Sequence, residues 1–355
     1  MADKVLMKGN EAIAEAAIMA GCRHYFGYPI TPQTEVAAYM AKRMPKIGGT
    51  FLQAESEIAA INMCIGVAST GKRVMTSSSS PGVSLKSEGI SYMAGCDLPA
   101  LIVNVQRGGP GLGGIQPSQS DYFQATRGGG HGDYHLFVVA PASVQEMVSL
   151  TAHAFNTAEK YRIPAMLLAD GTLGQMMEPV SIEGIKVEEY DKSWALTGTN
   201  CARKHNIINS LSLLPEELEQ WNIERYKRYE KIEAEEPMWE EFMMEDADIC
   251  VVAFGIASRV SRNAIKAARA QGIKVGMIRP ITLWPFPKKP LLATADKVKS
   301  FVTVELNMGQ MVEDVELATR CKRPVLMANR VGGCIPTPEQ VLAQIIEASK
   351  LGGEQ

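Results

Sequence analysis

Along residues 9–170 the apolar positions keep switching between two rhythms. One recurs every three or four residues, as on a helix with one buried face. The other is a short unbroken apolar run, as in a strand buried on both faces. The first rhythm predicts helices over Gly9–Ala20, Gln33–Arg43, Ser56–Ser69, Gly82–Ala94 and Ser143–Lys160, with Gly21 and Gly71 placed to end two of them and Ser143 to cap the last. The second predicts strands at Arg23–Phe26, Thr50–Gln53, Arg73–Thr76, Ala100–Val105, Phe137–Val139 and Ala165–Leu168. Strands alternating with helices imply βαβ units, hence an α/β, doubly wound parallel sheet covered on both faces.

The rhythm breaks near Glu178. Residues 180–247 are dense in Glu, Lys, Tyr and Trp, and Pro215–Glu245 reads as a charged, mostly helical connection. Alternation then resumes. Strands are expected at Ile249–Phe254, Lys274–Ile278, Phe301–Val304 and Pro324–Met327, and helices at Ser258–Gln271, Pro285–Ala293, Gln310–Thr319 and Pro338–Ser349. The expected organisation is an α/β domain over 1–178, a connecting segment over 179–247 and a smaller α/β domain over 248–355.

Composition narrows the function classes. Apolar residues make up 46% and charged residues 21% of 355 positions, ordinary for a globular chain large enough for two cores. A net charge of −3 offers no basic surplus for nucleic acid. No apolar run reaches the roughly 18–20 residues of a membrane span. The opening MADKVLMKGNEA lacks the apolar stretch of an export signal, which predicts a cytoplasmic chain. The 7 cysteines are scattered without a C-x-x-C pair. They read as reduced thiols, mostly in apolar surroundings, and argue against an iron–sulfur cluster held by this chain alone.

Several motifs invite over-reading. GVASTGKR at Gly66–Arg73 resembles a phosphate loop, but Arg73 stands where Ser or Thr is needed and the segment runs from helix to strand, the reverse order. GPGLGG at Gly109–Gly114 has dinucleotide-binding spacing but no good helix start after it. Asp170–Gly171 reads as a strand end. His131 and His135 lie in Gly-rich sequence that does not present them on one helix face.

Three residues remain, each just after a predicted strand. In GYPITPQTE (Gly27–Glu35) the prolines push Tyr28 and Thr31 toward extended backbone and stiffen the loop. Glu57 of QAESE opens a helix after the strand Thr50–Gln53. Arg107 ends the strand at Ala100–Val105 and starts a Gly-rich loop running to about Asp133, long for a structureless connection. A parallel sheet puts all three at its carboxyl edge, where such sheets bind ligands. Taken singly, Glu57 also fits a solvent-facing first-turn acid, a role open to Glu55 too, and Arg107 a partner of a surface carboxylate. Together, a hydroxyl, a carboxylate and a guanidinium suit a site that binds an oxo acid and activates a cofactor base.

GYPITPQTE, AESEIAA (Ala54–Ala60), SSSSPG (Ser77–Gly82), NVQRGGPG (Asn104–Gly111) and RPITLWPFP (Arg279–Pro287) together resemble the α subunit of the 2-oxoacid:ferredoxin oxidoreductases. The resemblance covers nearly the whole chain. The 2-ketoisovalerate type is most similar, and the 2-oxoglutarate type is close behind. It implies a pyrimidine-type thiamine diphosphate domain followed by a transketolase C-terminal-like domain. It implies a thiamine diphosphate site shared with a β subunit, with Mg²⁺ and iron–sulfur (4Fe–4S) clusters on partner subunits. Further γ and ferredoxin-like δ subunits would lead electrons to ferredoxin. The implied reaction is oxidative decarboxylation of a 2-oxo acid, 3-methyl-2-oxobutanoate favoured, with coenzyme A as co-substrate. 2-Oxoglutarate, pyruvate or a non-catalytic assembly role are the alternatives. In this resemblance Glu57 matches the cofactor glutamate. Thr31 and Arg107 match positions that hold the substrate's acid group, and Tyr28, Pro29 and Ile30 would wall the pocket.

Overall fold

The computed structural model describes residues 4–351. The first three residues of the MADKVLMKGNEA stretch and residues 352–355 lie outside the described ones. The strands, in chain order, are β1 (Val5–Lys8), β2 (His24–Gly27), β3 (Thr50–Gln53), β4 (Val74–Ser78), β5 (Ala100–Gln106), β6 (Phe137–Val139), β7 (Pro164–Asp170), β8 (Met177–Val180), β9 (Trp239–Phe242), β10 (Ile249–Ala253), β11 (Val275–Pro280), β12 (Thr282–Trp284), β13 (Ser300–Glu305) and β14 (Val325–Asn329).

The first sheet has the order β12-β6-β7-β5-β4-β2-β3 and is parallel except where β12 runs against β6. Its centre is β5 and β7, ALIVNVQ and PAMLLAD, every residue of which is buried. Helices on both faces leave such strands no polar side, which is why they read as continuous apolar runs. Helix Gly9–Met19 ends at Ala20, and Gly21 takes the left-handed backbone (φ +86°) that a C-terminal cap needs. β1 and β8 form a separate antiparallel ribbon against the helices Gly9–Met19 and Val144–Tyr161.

The second sheet has the order β14-β13-β10-β11-β9 and is parallel except for β9. Here the structure departs from the expected connection. The charged helix stops at Glu235, just before Pro237, and Trp239–Phe242 becomes an edge strand. Its exposed and half-buried residues alternate, so its apolar signal is weak. β12 crosses the other way. It belongs to RPITLWPFP, yet it pairs Thr282 with Val139 and Trp284 with Val138 on the first sheet, and the helix expected from Pro285 begins only at Lys288.

The Gly-rich loop after Arg107 is not structureless. It contains the helix Tyr122–Thr126, and the buried Tyr122 hydroxyl donates to Asp314 Oδ2 at 2.6 Å. Gln119 continues this seam between the two sheets, accepting from Leu306 N at 3.2 Å and donating to Phe254 O at 3.0 Å.

Asp170, at the end of β7, closes the seam. Its carboxylate accepts from the amides of Thr172, Leu173 and Ile256 at 3.0, 3.0 and 3.3 Å, capping a helix of each half. Burial pushes this carboxyl from 3.8 up to about 6, with the amides pulling in the opposite direction. A raised native value means that the folded chain holds the proton more tightly. The group's stabilising contribution is therefore complete below about pH 4 and lost as pH rises through 6. Asp170→Asn removes this slope. Chemical unfolding at pH 4.5 and 7 should find the variant gaining on wild type with rising pH, and a pH-independent difference would contradict the assignment.

Candidate active site

β2, β3 and β5 run parallel, so Thr31, Glu57 and Arg107 follow strand ends on one edge of the sheet. The GYPITPQTE loop is held from inside. Gln33 is fully buried and donates to Tyr28 O at 3.2 Å. Its Oε1 accepts from Ser77 Oγ at 2.6 Å, and Tyr25 OH lies 2.7 Å from the same hydroxyl. The Ser77 proton goes to Gln33, so the tyrosine is the donor of the second bond. Asn10 Nδ2 adds a bond to Pro32 O at 2.8 Å. Tyr28, Pro29 and Thr31 are left exposed, with Ile30 half-buried between them.

Arg107 is 8% exposed. Its Nη1 donates to the Thr31 carbonyl at 3.0 Å and its Nη2 to Leu112 O at 3.4 Å, while Nε is buried without a partner. Thr31 and Arg107 thus meet, through the threonine's backbone and not its hydroxyl. No carboxylate among the described residues pairs with the guanidinium. Its chain position is locked by Ser80, whose Oγ accepts from Arg107 N at 3.0 Å and donates to Asp121 Oδ2 at 2.6 Å. Asn104 donates to the same Asp121 oxygen at 2.9 Å and accepts from Ser80 N at 3.1 Å. Burial raises the Asp121 carboxyl, and these two side-chain donors partly offset that shift.

Glu57 is the first residue of the helix Glu57–Ser69, capped by Ser56 Oγ, which accepts from Ala59 N at 3.1 Å. The two acids of AESE separate here: Glu55 is exposed, and Glu57 is 6% exposed. The Glu57 carboxylate rests on Gly82, near the start of the helix Ser80–Gly95. A Cβ on Gly82 would lie 2.6 Å from Glu57 Oε1 and 2.1 Å from Ser78 Oγ, so only glycine leaves this cradle open. The carboxylate accepts no hydrogen bond from a described residue, and the hydroxyls of Ser78 and Ser79 are buried without partners. An unpartnered acceptor beside the unpartnered Ser78 hydroxyl suits a flat nitrogen heterocycle that both gives and takes hydrogen bonds. Beside it, a cleft of about 630 Å³ opens between Ser80, Gly109 and Asp121 on one side and Asn307, Gln310 and Gly332 on the other.

Residues 15–240 match the family model described as pyruvate flavodoxin/ferredoxin oxidoreductase, thiamine-diphosphate-binding, and residues 247–341 match pyruvate:ferredoxin oxidoreductase core domain II. The chain belongs to the 2-oxoacid:ferredoxin oxidoreductases, as an α-type subunit. The α-type subunit is 49% identical to the ketoisovalerate oxidoreductase subunit VorB of Methanothermobacter thermautotrophicus, over 97% of each chain. It is 38% identical to the 2-oxoglutarate synthase subunit KorA of Methanocaldococcus jannaschii, over 94% of this chain and 97% of the other. Among solved structures it matches the 2-oxoglutarate:ferredoxin oxidoreductase of Magnetococcus marinus, with 2-oxoglutarate, coenzyme A and succinyl-CoA bound. That match has a TM-score of 0.88 and 30% identity, and covers 98% of this chain but 65% of that one. A split-gene transketolase, 15% identical, shares the fold with a TM-score of 0.62.

The remaining motifs of the α-type subunit resolve into structure. Arg73 of GVASTGKR is an internal anchor, donating to Glu159 at 2.7 Å, Asn156 at 2.8 Å and Ala20 O at 2.6 Å. His135 stacks on Trp284 with ring centroids 4.5 Å apart, and the His131 carbonyl accepts from Ser91. Cys22, Cys64 and Cys250 are buried, which pushes each thiol up to about 12. Cys201, Cys321 and Cys334 are exposed, so the expectation of mostly apolar surroundings holds for only part of the set. No described helix is long and apolar enough to cross a membrane.

Sequence reasoning passes over Gln33, Ser77, Asp121 and Lys86. Gln33 and Ser77 stand inside quoted motifs, but nothing in their spacing says that their side chains meet. A lysine four residues after Gly82 on an otherwise apolar helix face is the signal that could have found Lys86.

Proposed function

We propose that this subunit builds the pyrimidine-facing half of a thiamine diphosphate site and the acid-binding wall of a 2-oxo acid pocket. In the complete complex it serves the oxidative decarboxylation of 3-methyl-2-oxobutanoate to an acyl-CoA and CO₂, with electrons passed to ferredoxin. The observation that carries this reading is a pair of buried, unmatched charges on one sheet edge: Glu57 on the Gly82 cradle without a donor, and Arg107 without a carboxylate. Unpaired buried charges are costly, and a bound partner of opposite character removes the cost.

Thiamine diphosphate, when bound, supplies the nucleophilic carbon and the electron sink for loss of CO₂. Glu57 holds a proton at the pyrimidine nitrogen and so sets the ring's tautomer. Arg107 offers the substrate carboxylate the guanidinium hydrogens that Thr31 and Leu112 do not take, and its bond to the Thr31 carbonyl keeps the fork aimed. Thr31 is exposed, and its hydroxyl serves as a second donor. Tyr28, Pro29 and Ile30 form an uncharged wall. A 2-oxoglutarate site must neutralise a second carboxylate, which such a wall does not do; a branched apolar side chain fits it better. Mg²⁺ and the iron–sulfur clusters reside on a β subunit and on γ and ferredoxin-like δ subunits, in the cytoplasm where ferredoxin is met.

The test is coexpression with the partner chains, followed by a substrate panel read with a low-potential acceptor. The expected complex carries thiamine diphosphate and has its highest kcat/KM for 3-methyl-2-oxobutanoate. A higher value for 2-oxoglutarate or pyruvate moves the substrate within the family. An assembled complex that turns over equally well without an intact Glu57 site makes this chain an assembly subunit.

A further inference from the structure

Lys86 sits one helical turn after Gly82 on the helix Ser80–Gly95, so the two share a face. Gly82 is the residue on which the Glu57 carboxylate rests. The lysine side chain is fully buried. Its ammonium donates to Thr76 Oγ1 at 2.5 Å and to Ser77 O at 3.1 Å, both neutral acceptors on β4. An ammonium has three hydrogens to place, and no described carboxylate forms an ion pair with it. The ionisable groups that face it are Glu57 and Cys64, on the helix Glu57–Ser69; Tyr25, on β2, stands behind Ser77. Burial lowers the lysine from 10.5 to about 8, against the pull of Cys64 and Glu57, so it is charged at neutral pH at a cost to the fold. A methionine would fill the same space without that cost. A residue that breaks the local packing rule in this way marks a functional constraint. Through Ser77 the same ammonium also braces the chain of bonds to Gln33 and the Tyr28 carbonyl.

We propose that Lys86 is a positioning residue of the cofactor site: its buried ammonium, one turn from the Gly82 cradle, ties down the end of β4 at Thr76 and Ser77 and so keeps the Ser78 side of that cradle, and the Glu57 carboxylate that rests in it, aimed at the pyrimidine ring. The inference rests on the role given to Glu57 above. Lys86 touches neither substrate nor cofactor and acts through Glu57 and the end of β4. Its cost to stability follows by linkage. The native value lies below the unfolded one, so the lysine's penalty is full below pH 8 and is relieved as pH rises toward 10.5.

The experiment uses the complete complex with Lys86→Met. Its apparent Kd for thiamine diphosphate, read by fluorescence titration, should rise about tenfold, the equivalent of one misplaced hydrogen bond. kcat should fall with it while KM for the 2-oxo acid stays within a few-fold of wild type, a split that a general loss of packing does not give. Thermal stability at pH 7 should equal or exceed that of wild type, and its rise between pH 8 and 10.5 should flatten. In E57Q/K86M the binding curve should match that of E57Q alone, because the lysine then has nothing to act on. Lys86→Gln repeats the measurement with a polar side chain should the methionine variant fail to assemble. A K86M complex with the wild-type kcat and binding curve, in a background where E57Q is inactive, overturns the proposal and leaves Lys86 a packing residue. An active E57Q complex with wild-type binding overturns the reading of Glu57 and this inference with it.

Discussion

Glu57→Gln is expected to lower kcat of the assembled complex by about 10²–10⁴-fold, the range for loss of a positioned proton-transfer group. The fold should be unaffected. Glutamine is isosteric, its Oε1 faces Gly82 as the carboxylate does, and no described residue loses a hydrogen bond in the exchange. Because no described residue bonds to the carboxylate, the melt should stay close to wild type. The amide cannot exchange a proton with the ring nitrogen, so the loss falls on kcat while KM for the 2-oxo acid stays close to wild type. Steady-state kinetics beside a thermal melt test both halves. Near-normal turnover would remove Glu57 from the chemistry. A collapsed melt would make its burial a matter of folding. Glu55→Gln is the control: that acid is exposed, and its loss should change neither number.

Much of the fold is legible along the chain because the central strands are buried on both faces. β5 and β7 read as strands at a glance, and the helices between them carry clear starts and stops. Four strands go unread, the short ribbon pair β1 and β8 and the strands β9 and β12, the last two for different reasons. β9 has one covered face and polar neighbours, so a helical propensity run hides it. β12 is apolar enough, but its partner β6 lies far back in the chain, and no local pattern announces a pairing over that distance. The site divides in the same way. Thr31, Glu57 and Arg107 can be found because each follows a strand in a distinctive motif. That Glu57 is buried and Glu55 exposed depends on the glycine of a different helix. That Arg107 is bonded to the Thr31 carbonyl depends on how the Gly-rich loop folds back, with Arg107 N accepted by Ser80 and Gly108 N by Gln116. Gln33 and Lys86 are legible only once β2, β4 and the helix after SSSSPG are set side by side.

Arg107→Lys is expected to raise KM for the 2-oxo acid by about 10–100-fold, the equivalent of one or two charge-assisted hydrogen bonds. The guanidinium divides its donors. Nη1 and Nη2 each give one hydrogen to the carbonyls of Thr31 and Leu112, and the remaining hydrogens of the fork are left for the ligand. A lysine keeps the charge but has a single nitrogen and no fork. It must either hold the loops or meet the substrate, and it cannot do both with the geometry fixed. The charge alone still attracts the acid, so binding weakens without vanishing. If Glu57 and Arg107 divide the work as proposed, the affinity for thiamine diphosphate in R107K stays within a few-fold of wild type while KM climbs. The E57Q complex should show the opposite division, with kcat down and KM nearly unmoved. Truncation to alanine would confuse the two, since it frees the Thr31 and Leu112 carbonyls and slackens the loop that begins at Gly108. An unchanged KM in R107K, with turnover intact, would assign the guanidinium to some other anion and leave the substrate's acid group to be held elsewhere.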